Sequence, residues 1–449
     1  MKNIGFKRIF VLTVVLFLMI ATPACSQSVI YTHLGSNSEY SKIRHYRNDV
    51  DIRYEFFTLN PYGARAFYYV DRSSGLVFSF TLPLYYDIAD FEIYNDNVYF
   101  CGSNNTDPYW GYFNIDSVFF YSGDVHFAMI NLPVNNNGAA YIDVPLNLDV
   151  FEESGKIHVV MVGSGYENYT YCGYIAEAWQ ASLGWSFQYT MDTSHTVLYK
   201  DVAVTDSYVV VLGGTYTSIS YPAIGSLKHR ILYYDRPTGS ATQSIFEYAA
   251  GTFPATSVNV PARVTDNSIF SPIPTGMHII HTKSDGFATV CTDSDYDCVI
   301  SFYQDPVYDP YERVEFSDGP VYIAEIAFNP IANSLGLLNS VSGVYRKVPL
   351  TPSIEKSWTE DYLWTSIDRV NGNNDFILSG SVWNPNLAVQ WLFDPFNTNE
   401  CVQNTELDVF ELDTKQEELN LLQAIRPSNI TCDDYHVTID KTNIIVECE

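Results

Sequence analysis

Three aspartates at alternate positions, Asp293, Asp295 and Asp297, come nearest in type and spacing to a chemical site in this chain. Oxygen ligands at alternate positions wrap a hard cation such as calcium when the backbone between them turns sharply. The position a calcium loop gives to glycine holds Cys298, and its twelfth position holds Gln304 where a bidentate glutamate would stand. The expectation is therefore an acidic hairpin loop with no cofactor, calcium being the one ion it would suit. Cys291 and Cys298 flank the loop and are expected to bridge across the hairpin in an exported protein.

A second set is aromatic. Tyr109, Trp110, Tyr166, Tyr169 and Trp383 fall at the ends of apolar strands, and rigid amphipathic rings of this kind stack on sugars or peptide side chains with little loss of rotamer entropy. Signatures of catalysis are missing: there is no Gly-x-Ser-x-Gly elbow, phosphate loop, His-Glu-x-x-His or dinucleotide glycine pattern. His278 and His281 are three apart on a strand pattern and so point to opposite faces. A non-enzymatic binder is the expected class, with a glycan hydrolase or lyase, or an adhesive surface protein, as alternatives.

The elements that must position these residues repeat. DFEIYNDNVYFCG from Asp90, LDVFEESGKIHVVMVG from Leu148, VAVTDSYVVVLGG from Val202 and MHIIHTKSDGFATVC from Met277 share one phrase. IAEIAFNPIANSLGLLN from Ile323, SIDRVNGNNDFILSG from Ser366 and YHVTIDKTNIIVEC from Tyr435 share it too. Each reads as an alternating strand, a polar turn and a nearly continuous apolar strand, which is a hairpin whose second strand is buried on both faces. A further strand follows six of the seven copies, giving meanders at intervals of roughly 40 to 80 residues.

This pattern resembles the seven-bladed β-propeller superfamily over about residues 45 to 449, at the level of the fold, without the WD dipeptide or the kelch diglycine. The resemblance implies an all-β single domain. The last hairpin lacks a following strand, and AFYYV from Ala66 with LVFSFTL from Leu76 would complete it, so N-terminal strands are expected to close the ring against the C-terminal hairpin. Residues 27–44 read as an N-terminal linker. Within 45–449, residues 414–426 (TKQEELNLLQAIR from Thr414) space Leu419, Leu422 and Ile425 helically and read as a decorating helix. Chain direction places the connections after second and fourth strands at one end of such a ring. Those connections vary and carry the aromatics, so that end is the expected recognition face for a protein, peptide or glycan.

Residues 1–26 read as an export signal, with a basic start, an apolar run from Ile9 to Ile20 too short to span a bilayer, and small residues near the cut. Two processing routes fit: lipidation at Cys25, or release into the periplasm or medium after Ser26. No other segment reaches transmembrane length. Losing Lys2, Lys7 and Arg8 takes the formal charge from −28 to −31, a surface that repels phosphate backbones and excludes nucleic acid as a partner.

Overall fold

The computed structural model describes residues 28–32, 38–57, 64–83, 86–104, 107–131, 142–167, 170–181, 184–192, 197–216, 219–220, 223–224, 227–236, 244–248, 277–292, 298–306, 310–316, 323–339, 343–351, 353–358, 362–370, 376–382, 388–393, 402–406, 408–409, 415–418, 423–425, 429–443 and 445–448. Their strands form seven five-stranded antiparallel sheets and a two-stranded ribbon, Ile219–Ser220 with Ala223–Ile224. The local signals are plain. The first hairpins turn at Asn95 and Asp96, both with positive φ, and at Ser154 and Gly155, while Val209 to Leu212 are buried on both faces.

The inner strands of blades 1 to 7 are Ser38–Arg47, Tyr86–Tyr94, Ile142–Glu153, Val197–Val204, Met277–His281, Ile323–Asn329 and Tyr362–Arg369. Each packs beside the next, and the last packs beside the first. The ring has seven members, because the sheet of Ser38–Arg47 stands as a blade of its own between those of Tyr362–Arg369 and Tyr86–Tyr94. The protein is a β-propeller.

Apolar clusters fill most seams between blades. Ile52, Tyr54, Phe67 and Phe80 meet Ile88, Phe91, Phe100 and Phe113 between blades 1 and 2, and Trp110, Cys101 and Tyr99 meet Leu148, Val159 and Met161 between blades 2 and 3. Similar groups lie between blades 3 and 4, 5 and 6, and 6 and 7. The seven-residue helix Ile115–Tyr121 joins the third and fourth strands of blade 2, its N-terminus capped by Asn114, whose side chain accepts the Ser117 N–H at 3.0 Å.

The fifth strand of every blade comes from the C-terminal segment. It runs round the rim against the order of the blades: Val402–Glu406 on blade 6, Asp408–Val409 on blade 5, Lys415–Glu418 on blade 4 and Gln423–Ile425 on blade 3. Asn429–His436 then pairs on blade 2, Asp440–Asn443 on blade 1 and Ile445–Cys448 on blade 7. One segment thus covers seven outer edges that would otherwise offer unpaired backbone groups.

Four expectations change. The copy from Tyr435 is no blade hairpin, since its strands Asp440–Asn443 and Ile445–Cys448 join different sheets. Leu76–Thr81 does lie beside the C-terminal segment, with Phe78 opposite Lys441, but it belongs to blade 1; the fourth strand of blade 7 is Ser28–Thr32, between Ala388–Phe393 and Ile445–Cys448. Residues 27–44 are therefore not a linker, since they hold Ser28–Thr32 and most of the first inner strand. Within 414–426, Lys415–Glu418 and Gln423–Ile425 are strands, because pairing to an open sheet edge overrides the weak helical spacing.

Candidate functional site

Polar side chains recur on the inner strands where apolar alternation would be expected. In six of these strands the register slips by one residue, between Ile88 and Asp90, Pro145 and Asn147, Tyr199 and Asp201, Ile323 and Glu325, and Trp364 and Ser366, and in Ser38–Arg47 both between Ser38 and Tyr40 and between His45 and Arg47. Such a bulge re-aims the side chains that follow it. The side chain after the bulge, or two further on, then reaches the neighbouring blade.

Asp90 accepts the Leu148 N–H of blade 3 at 3.3 Å, Asp149 accepts the Val204 N–H of blade 4 at 2.7 Å, and Asp201 accepts the Ile279 N–H of blade 5 at 3.0 Å. His278 Nε2 lies 3.1 Å from the Ile323 carbonyl of blade 6, and Glu325 accepts the Ile367 N–H of blade 7 at 3.0 Å and the Ser366 hydroxyl. Ser366 Oγ and Asp368 accept the Ile43 and His45 N–H groups of blade 1 at 3.1 and 2.6 Å. Lys42 and Arg44 of blade 1 donate to Asp90 and Glu92 of blade 2. Polar staples therefore join each inner strand to the next all the way round.

Blade 1 supplies two cations, Lys42 and Arg44, to this ring. Lys42 bonds Asp90 and lies 3.5 Å from Glu325, and Arg44 lies 3.3 Å from Asp90 and 3.0 Å from Glu325. They tie blades 2 and 6 together through blade 1. Burial alone would raise the Glu325 pKa, but Arg44 and Lys42 hold it below the usual range. Burial pushes Asp149 up to about 7 against the pull of the N–H groups of Val204 and Val150. Glu92 is also raised, first by burial and then by Asp90, Asp149 and Asp368, with Arg44 opposing. Lys200 is lowered by burial. Among the described residues, no three His, Cys, Asp or Glu side chains are grouped to hold a metal ion.

The two ends of the ring differ. Several described connections after first and third strands are tied down: Asp285 accepts the Ser207 N–H at 2.7 Å, and Arg236 donates to the carbonyls of Thr205 at 2.5 Å and Glu152 at 3.2 Å. Connections after the second and fourth strands emerge together at the other end. Apart from the ribbon and Leu82–Pro83, they lie outside the described residues.

Of the aromatics expected to bind, Tyr109 and Trp110 are 0% and 1% exposed. Tyr109 packs on Tyr86, Phe100 and Phe127 and donates its hydroxyl to the Asp87 carbonyl at 3.0 Å, and Trp110 stacks on Tyr112. Both lie on the third strand of blade 2, Asp107–Asn114, buried in its core. Tyr166 sits near the end of Lys156–Glu167, opposite Ile142 and Tyr171, at the elaborated end. Tyr169 and Trp383, the triplet Asp293, Asp295 and Asp297, and Cys25 lie outside the described residues. Cys291 and Cys298 are not bridged. Cys291 stands opposite Val299 and Cys298 opposite Thr292, a one-residue offset that turns the two thiols to opposite faces of the sheet.

No protein-family model matches the chain, and no curated protein matches it. Solved structures similar to it include the β-propeller domain of Myceliophteria thermophila Cps50 (Swd1), at 9% identity over 81% of this chain and 99% of that one, with a TM-score of 0.44. Saccharomyces cerevisiae Sqt1 aligns at 8% identity over 82% and 98%, with a TM-score of 0.39. The polysaccharide lyase Uly1 aligns at 10% identity over 83% and 98%, with a TM-score of 0.42. Among the described residues, no helix is long and apolar enough to cross a membrane.

Proposed function

We propose that the protein is an exported, non-catalytic binding scaffold that recognises a protein, peptide or glycan through the connections at one end of the ring. The observation that carries this reading is the asymmetry of the two ends. Turns such as those at Ser207 and Asp285 cross-tie one end, and the longest connections, residues 132–141, 217–226 and 249–276, leave from the other.

The axis supports the same reading. The carboxylates of Asp90, Asp149, Asp201, Glu325 and Asp368 accept backbone N–H groups of neighbouring blades. A general acid or nucleophile needs an oxygen turned toward substrate. These are committed to closing the wheel.

Tyr166, Tyr169 and Trp383 are the proposed contacts, and the acidic surface favours a basic or neutral partner. The test is capture of glycans and peptides on arrays by the mature protein and by a Tyr169→Ala/Trp383→Ala variant. Loss of capture at unchanged melting temperature supports the reading; equal capture by both removes these contacts. Mass spectrometry of the mature N-terminus separates release after Ser26 from a lipid on Cys25.

A further inference from the structure

Blade 7 is assembled from three stretches far apart in sequence: residues 362–393, Ser28–Thr32 and Ile445–Cys448. Its seam with blade 1 is where the ring closes. Among the described side chains, the apolar cluster that spans it is Ile43, Val370 and Ile377. Alternate residues of Val50–Phe57 divide between the two sides of blade 1. Ile52 and Tyr54 join the cluster with blade 2, which turns Asp51, Arg53 and Glu55, all 0% exposed, toward blade 7.

Beside the buried Tyr68, Val70 and Val77 on the same face, this seam therefore also buries charge. Arg53 pairs with Glu55, and Asp51 takes His45 Nδ1 at 2.9 Å and Arg72 Nε at 2.8 Å. A buried ion pair repays its desolvation poorly compared with apolar residues of the same volume. Asp440–Asn443 pairs with the outer strand of blade 1 and Ile445–Cys448 with that of blade 7, with residue 444 alone between them. Those two short strands bridge the outside of the seam, while Ser366 and Asp368 hold its inside.

We propose that the ring opens first at the seam between blades 7 and 1, and that Asp440–Cys448 is the clip that holds it shut. The propeller then has one built-in point of local opening, governed by its last residues. Hydrogen exchange measured by mass spectrometry on the full mature chain tests this. Thr442→Pro should speed exchange of Val50–Phe57 and Phe376–Val382 at least tenfold and leave Phe287–Thr292 and Ser334–Asn339 unchanged. Gln416→Pro, in the strand on blade 4, should leave the seam peptides as they are. Arg53→Met/Glu55→Leu, which needs no weakened clip, should slow exchange of the same two peptides. Equal loosening by Thr442→Pro and Gln416→Pro, or no slowing in the double variant, overturns the proposal.

Discussion

Val204, on the inner strand of blade 4, donates its backbone N–H to Asp149 Oδ2 on blade 3 at 2.7 Å, while Oδ1 of the same carboxylate takes the Val150 N–H at 2.7 Å. One side chain thus satisfies its own strand after the bulge and the strand of the next blade. Asp149→Ala leaves both donors without this acceptor and should destabilise the fold by about 1–3 kcal/mol. Asp149→Asn, which keeps one carbonyl oxygen, should cost less. Urea denaturation midpoints check the order.

The pH dependence follows from the buried carboxylates. Burial raises Asp149 to about 7, and burial, opposed by Arg53, raises Glu55 to about 7, so the folded state holds both protons at pH values where the unfolded chain has released them. Their contribution is complete below about pH 4 and is lost as pH rises through about 7. Glu325, held low by Arg44 and Lys42, acts the other way and is lost on acidification below its unfolded value. Denaturation curves should give a higher midpoint at pH 5 than at pH 8, and Glu55→Gln should flatten that difference.

Buried and exposed ion pairs should separate cleanly. Lys42→Met strips Asp90 and Glu325 of a cation at the axis, and removing one partner of a buried pair costs about 3–5 kcal/mol. Arg47→Ala breaks an exposed pair with Asp116 at 3.1 Å and should change stability by less than about 1 kcal/mol. Thermal melts of the two variants measure the contrast.

Trp110→Ala should destabilise by about 3–5 kcal/mol through the cavity it opens between blades 2 and 3. Any loss of ligand capture would then track the unfolded fraction. Gly102→Ala should also be costly, since its Cβ would stand 1.7 Å from the Asp87 carbonyl oxygen beside the bulge. Circular dichroism melts decide both.

The sequence made six inner hairpins readable because their second strands are apolar runs, and it showed the acids Asp90, Asp149, Glu325 and Asp368 within the repeated phrases. Their role was hidden: an acid after a bulge looks in sequence like an ordinary polar position of an alternating strand. Blade 1 escaped the pattern for a related reason. Its first hairpin carries Lys42 and Arg44 for the axis and Arg53 and Glu55 for the seam, so no apolar run marks it. The C-terminal copy misled in the opposite sense, since two short rim strands joined by one residue look like a hairpin until pairing assigns them to different sheets. Trp110 was drawn to the surface by its place beside a polar connection, though the third strand it lies on is buried from both sides.

Ser28–Thr32 and Ile445–Cys448 meet in blade 7 and close the wheel, with Ser28 opposite Cys448. Directly opposed residues of an antiparallel pair fall within disulfide reach. Ser28→Cys in the full chain, under mild oxidation, should yield an intramolecular disulfide between position 28 and Cys448 on peptide mapping, whereas Ile30→Cys, opposite Val446, should not bridge to Cys448. Absence of the bridge from position 28, or equal bridging from position 30, would contradict a ring closed in this register.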